Sequence, residues 1–131
     1  MATLRIPYPV SSNVYWRHRV VGKIAMVYVS PEAKAYKQQV GWIAKAAGIK
    51  KIVGAVSVKY VLHPKMVKSG AASKVRLDLD NCIKVCQDAL NGIAYADDDQ
   101  IYEIYASIGN PVPDGAIDVT ISEFKPVDLF K

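Results

Sequence analysis

Polar and apolar positions along this chain switch between a period of two and a period near 3.6. Residues 3–6 (Thr-Leu-Arg-Ile) read as a short strand stopped by Pro7 and Pro9, and residues 25–29 as a second short strand. Between them, residues 7–24 hold two prolines, Ser11, Ser12, Asn13 and the polar run Tyr15 to Arg19, and are expected as loop. Ser30-Pro31-Glu32 predicts a helix start: a hydroxyl cap, proline at the first helical position and a carboxylate in the first turn. Tyr36, Val40, Ile43, Ala44 and Ala47 then recur at helical spacing, and Gly48 fits the stop. Lys34, Lys37, Gln38, Gly41 and Lys45 fall on the opposite side, expected as a solvated helix face, with DNA contact the alternative.

Residues 55–62 predict a strand rich in β-branched side chains. Residues 63–76 break pattern with Pro64, Gly70 and the cations Lys65, Lys68, Lys74 and Arg76, so a mobile basic loop is expected there. Residues 79–91 predict a helix with Leu79, Ile83, Cys86 and Leu90 on one face and Asn91-Gly92 as its stop. Residues 101–108 alternate, with Tyr102, Ile104, Ala106 and Ile108 together, and so do residues 116–123, with Ile117, Val119 and Ile121 together. The turn residues Asn110 to Gly115 between them suggest a loose hairpin. The order β, (β), α, β, α, β, β predicts an α+β fold: a mixed β-sheet with two main helices in a single compact domain, residues 1–131.

Composition narrows the class. At 131 residues, 51% hydrophobic and 22% charged, the chain is an ordinary globular domain, too apolar to be disordered and large enough to fold without a metal or disulfide staple. No apolar run approaches the roughly 20 residues that span a bilayer, so no membrane partner is expected. The opening MATLRIPYPV lacks a basic region followed by an apolar one. With only two cysteines, a cytoplasmic, reducing compartment is the expectation.

The net charge of +5 hides an asymmetry. Residues 1–76 carry fourteen Lys/Arg against one acid, Glu32, and residues 77–131 carry three against eleven. A basic surface collects phosphates, whereas a dense carboxylate cluster repels them unless cations sit between. Both together suit a metal-dependent enzyme acting on nucleic acid. The alternative is that the halves attract each other or pair across a dimer.

The acids are patterned. Asp78 and Asp80 flank a leucine at a helix mouth, where in an extended lead-in residues two apart point the same way. Asp80, Lys84 and Asp88 follow at i, i+4 and i+8. Asp97, Asp98 and Asp99 come after the helix and just before a strand, and the two groups converge if the helix packs beside that strand. Mg²⁺ is hard and poorly dehydrated, and proteins hold it with a few carboxylates plus water and phosphate oxygens. Two such ions can activate a water and stabilise the leaving oxygen of a phosphodiester, and a lysine nearby would stabilise the charge that builds. Structural readings stand beside this one. Asp78 or Asp80 could be a helix N-cap, residues 97–99 an acidic turn, and Lys84 a surface partner of Asp80 and Asp88. Residues 78–89 lack the central glycine and terminal glutamate of an EF-hand.

Taken whole, Asp78-Leu-Asp80-Asn81, Lys84, Asp88, Leu90 and Asp97-Asp98-x-Gln100-Ile101, with the opening Pro7-Tyr-Pro9-Val-Ser11-Ser-Asn13-Val-Tyr15-Trp16-Arg17, resemble the RusA-type Holliday junction resolvases. The resemblance implies a RusA-like fold and a Mg²⁺-dependent (or Mn²⁺-dependent) homodimer that binds four-way DNA junctions and makes paired nicks in recombination and repair. Carried over, the catalytic aspartates match Asp78, Asp80 and Asp98, with Asp97 adjacent, and the lysine matches Lys84. The sequence departs from the family at Leu77, where basic residues or proline are frequent, and at Ser107 and Ile108, where a lysine is often seen. Asn13, Arg17, Arg19, Lys65, Lys68, Lys74 and Arg76 are the candidates for gripping DNA. A non-catalytic DNA-binding module would need the basic loop but not the aspartates, and a Mg²⁺-dependent nucleotide hydrolase is a third reading. Cys82 and Cys86, four apart on one helix, are expected as packed thiols, because neither they nor His18 and His63 have zinc-ligand spacing.

Overall fold

The computed structural model describes residues 2–10, 16–21, 24–73 and 78–126. Along the chain run β1 (Ala2–Pro7), β2 (Trp16–Val21), β3 (Ile24–Val29), α1 (Pro31–Ala46), β4 (Val56–His63), α2 (Leu79–Leu90), β5 (Ile101–Ile108) and β6 (Ala116–Glu123), with a 3₁₀ turn at Asp98–Gln100. Four strands form one mixed sheet in the order β1-β6-β4-β5, antiparallel except for the parallel pair β4 and β5. The α+β architecture with two main helices is therefore the one the patterning implied. No helix among the described residues is long and apolar enough to cross a membrane.

The alternation within each strand sets the two faces of the sheet. Leu4 and Ile6 of β1, Val56, Val58, Tyr60 and Leu62 of β4, and Ile117, Val119 and Ile121 of β6 are all buried. Their opposite numbers are polar: Arg5 on β1, Lys59 on β4, and Asp118 and Thr120 on β6. Both helices pack on the apolar face. α1 begins as its sequence dictates, with the buried Ser30 side chain accepting from the Ala33 amide at 3.2 Å. Its Ala33, Tyr36, Val40 and Ala44 enter the core, and the Tyr36 hydroxyl donates to the Pro7 carbonyl at 2.8 Å, tying the helix to the end of β1.

The structure corrects two expectations. Residues 7–24 are not all loop: β2 and β3 pair antiparallel from Trp16↔Val29 to Val21↔Ile24 as a separate two-stranded sheet. The polar sequence of β2 carries no hydrophobic alternation to announce it, and its strand state comes from the partner. Second, β5 and β6 are not hairpin neighbours, because β4 lies between them. Pro111 and Pro113 leave no room for a tight two-residue turn, and the connection steps over the end of β4 instead. Gly109 N–H donates to Leu62 O at 2.8 Å and Val112 N–H to Pro64 O at 3.0 Å along that crossing. The expected face of α2 faces the core, with Cys86 and Leu90 buried and Leu79 and Ile83 half-buried and packed against it, and Cys82, Val85 and Ala89 widen that face.

Candidate active site

The first acidic group sits at the mouth of α2. Asp78 occupies the N-cap position in extended conformation (φ −65°, ψ 149°), and its backbone carbonyl accepts from Cys82 N–H at 3.1 Å. Its side chain makes no capping hydrogen bond. The simplest structural explanation of this carboxylate is thereby removed. Asp80 lies in the first helical turn and Lys84 one turn further on, all three exposed. Carboxylates at a helix N-terminus are favoured by the helix dipole, so this arrangement is stable without a cation.

The second group is built differently. Asp97 caps the 3₁₀ turn: its Oδ1 accepts from Asp98 N–H at 2.8 Å, and Gln100 Oε1 accepts from Asp97 N–H at 3.1 Å, a reciprocal capping box. Gln100 Oε1 also accepts from Ala96 N–H at 2.7 Å, while its Nε2 donates to the Ile52 and Gly54 carbonyls at 2.9 and 2.8 Å. One side chain thus pins the acidic turn to the segment before β4. Sequence reasoning used Gln100 only as a marker. The Asp-x-x-Gln spacing was nevertheless a readable capping signature.

Asp98 is the perturbed member. Its carboxyl is raised above the ordinary range, chiefly by its hydrogen bond with Asp97, then by partial desolvation and by the charges of Asp97, Asp99 and Asp88. Tyr95 is buried beside this group. Its phenol is pushed up first by burial, then by the charges of Asp98, Cys86 and Asp88, and it donates to the Gln87 carbonyl at 2.8 Å. Asp88, placed by the spacing on one helical face with Lys84, therefore belongs electrostatically with Asp98.

The topology explains this grouping. Residues 91–100 join the end of α2 to the start of β5, and α2 packs against β4 and β5. Asp98 lies near the last turn of α2, and Asp78 and Asp80 lie at the first. Eight residues of helix separate Asp80 from Asp88, about 12 Å at 1.5 Å per residue. Among the described residues, no three His, Cys, Asp or Glu side chains come close enough to hold a metal ion. The donors are hard oxygens of the kind Mg²⁺ takes, but one chain does not gather Asp78, Asp80 and Asp98 about a single point.

The basic candidates divide as well. Lys65 and Lys68 are exposed, and Lys65 Nζ lies 5.2 Å from the centre of the Tyr8 ring. Their segment is held by bridges between Lys65 and Val112 and between Met66 and Ala72, and it leads toward Asp78. Arg17 and Arg19 sit two apart on β2, opposite Tyr28 and Met26. Asn13, Lys74 and Arg76 lie outside the described residues.

Against this geometry, known proteins are informative. The profile of the family described as Endodeoxyribonuclease RusA matches residues 7–122, which includes both acidic groups and the basic segment between β4 and α2. The chain belongs to the RusA family. Two relatives reinforce this. A crossover junction endodeoxyribonuclease of Enterobacteria phage HK97 is 31% identical over 123 residues, 93% of this chain and 94% of the relative. Another, from Escherichia coli O139:H28 (strain E24377A / ETEC), is 32% identical over 122 residues, 92% of this chain and 93% of the relative. Family membership extends across the whole fold rather than resting on a short motif.

Proposed function

We propose that this protein is a divalent-metal-dependent endodeoxyribonuclease that resolves four-way DNA junctions by paired phosphodiester hydrolysis, in the cytoplasm, during recombination and repair. The observation that carries the reading is the Asp78 carboxylate, which stands at a helix mouth without capping it, next to Asp80 and downstream of a basic segment. The names of the phage and bacterial relatives give the substrate class.

Asp78, Asp80 and Asp98, with Asp97 beside them, would hold Mg²⁺ or Mn²⁺. The bound ion would supply Lewis-acid activation of water and neutralise the scissile phosphate. The chain's own residues do the rest. Lys84 presents a cation one turn from Asp80 toward the phosphate. Lys65, Lys68, Lys74, Arg76, Arg17, Arg19 and Asn13 hold the flanking backbone. Two symmetric cuts require two sites about a twofold axis, hence a homodimer. Because α2 separates Asp98 from Asp78 and Asp80 within one chain, the second copy is also the natural source of the missing carboxylates.

That same separation is what favours the alternative, a non-catalytic DNA-binding module. Asp80→Asn decides between them. It is expected to abolish nicking of a labelled four-way junction in Mg²⁺ while junction binding survives or strengthens, since a charge that repels phosphate is removed. Cutting at the wild-type rate by the variant would show Asp80 to be uninvolved. Absence of cutting by the wild-type protein, with either metal, would leave the binding module.

A further inference from the structure

The basic segment leads into Asp78, and Lys84 stands one turn from Asp80. The turn at Asp97–Asp99 has a different neighbour, the segment between α1 and β4. Ile49 and Ile52 of that segment pack against the core. Lys50, Lys51 and Val53 are left outside, all exposed, Val53 to 94%. The segment is firmly held against the acidic turn and its lead-in. Ile52 N–H donates to Ala94 O at 2.9 Å, and Ile52 forms a bridge with Tyr95. The Gln100 amide that braces the acidic turn donates to the carbonyls on either side of Val53, those of Ile52 and Gly54. Gly54, at φ +92°, returns the chain toward β4 in a conformation that side chains rarely permit. Two lysines and an apolar side chain are thereby fixed at the rim of the turn. A purely structural task for the lysines would be to neutralise Asp97, Asp98 or Asp99, yet among the described residues neither forms an ion pair.

We propose that residues 50–53 are a second DNA-holding element, which takes the strand on the Asp98 side of the site. Lys50 and Lys51 meet its phosphates and Val53 lies against a deoxyribose edge. The proposal rests on the nuclease reading for where the DNA lies, and extends it to residues outside the basic segment. Each strand of a duplex carries one charge about every 3.4 Å. A phosphate held at the carboxylates is therefore followed by others on both sides of it, and the basic segment before Asp78 serves one side only. Lys50 and Lys51 serve the other. A divalent ion bound at the turn offsets its carboxylates, and the two lysines then remain as net positive charge beside it.

Equilibrium binding of a labelled four-way junction in Ca²⁺, measured over a salt series, tests the element. The double variant Lys50→Gln, Lys51→Gln should bind at least about tenfold more weakly near 0.1 M salt, with an unchanged circular dichroism spectrum. Its slope of log K against log salt should be shallower by about 2, close to one for each lysine. Lys50→Arg, Lys51→Arg keeps both charges and should match the wild type. Lys59→Gln, on the sheet face away from the helices, should leave the slope as it is. Val53→Ser should weaken binding about threefold without changing the slope. Amine labelling of the unmodified protein needs no variant: the junction should protect Lys50 and Lys51 and spare Lys59. An unchanged slope in the double glutamine variant, or labelling of Lys50 and Lys51 that ignores the junction, would overturn the element. Nicking in Mg²⁺ is read separately. A wild-type protein that grips junctions through these lysines but never cuts them would refute the nuclease reading and leave the element standing.

Discussion

Gln100→Ala is the sharpest test of how the acidic turn is held. The side chain makes four hydrogen bonds, from the Ala96 and Asp97 amides and to the Ile52 and Gly54 carbonyls. A neutral hydrogen bond contributes about 1 kcal/mol net. Three of these four lie at the surface, where the backbone groups recover water once the side chain is gone. The loss should therefore be about half the nominal sum, about 2 kcal/mol. For a domain of this size that lowers Tm by roughly 8 °C. The functional effect should be larger than the thermodynamic one. Asp98 is two residues away, and a displacement near 1 Å at a reacting centre can cost about a hundredfold in rate. Urea unfolding followed by circular dichroism, with junction nicking at saturating Mg²⁺, measures both. Gln100→Glu should do no better, since it keeps the acceptor but sets a carboxylate against two carbonyls and next to three aspartates. An unchanged unfolding midpoint in Gln100→Ala would refute the anchoring argument. A destabilised variant that nicks at the wild-type rate would show that the placement of Asp98 does not limit cutting.

Other consequences are independent of this one. Asp118 bridges β1 and β4 through Arg5 (2.7 and 3.0 Å) and His63 (2.9 Å), and its carboxyl is lowered, chiefly by the hydrogen bond from Arg5. Stability from this group is complete above the ordinary aspartate range and is lost as pH falls through the lowered folded value. Asp118→Asn should therefore be less stable near neutrality, with a flatter acid limb in a plot of stability against pH. Among the described residues the buried Tyr60 hydroxyl has no hydrogen bond of good geometry, only a weak interaction with the Gln87 side chain, so Tyr60→Phe should raise stability by up to about 1 kcal/mol in urea melts; a loss instead would show that the Gln87 contact stabilises the fold. A methyl group at Gly109 would lie 2.7 Å from His63 Cε1 and 2.8 Å from Val61 Cγ1. Gly109→Ala should cost about 1–3 kcal/mol by forcing the crossing away from β4, and an unchanged Tm would show that it yields freely.

Much of the fold was legible because its signals are local. Ser30-Pro31-Glu32 started a helix where it stood, and the alternation from Ile117 to Ile121 was enough to assign a strand and its inward face. The candidate site was legible in the same way: the Asp-x-Asp at the mouth of α2 and the acidic triplet before β5 are where spacing put them. The inward face of α2 was legible too, with Leu79, Ile83, Cys86 and Leu90 all in or against the core, but its full width, which adds Cys82, Val85 and Ala89, is set by what packs on it.

By itself, then, the sequence determined most of the elements, the inward faces of the main strands, the positions of the two acidic groups along the chain and the family. Tertiary structure alone decided the neighbours. A period of two says which side of a strand is inward, but not which strand lies beside it, and so β4 came between β5 and β6. The polar segment β2 found a partner that no alternation announced. The direction of α2 placed one acidic group at each of its ends, and the reach of the helix layer left Ile104 and Ile108 uncovered. Each of these follows from competition among segments for the same buried area, an energy that belongs to the assembled chain and to no short stretch of it.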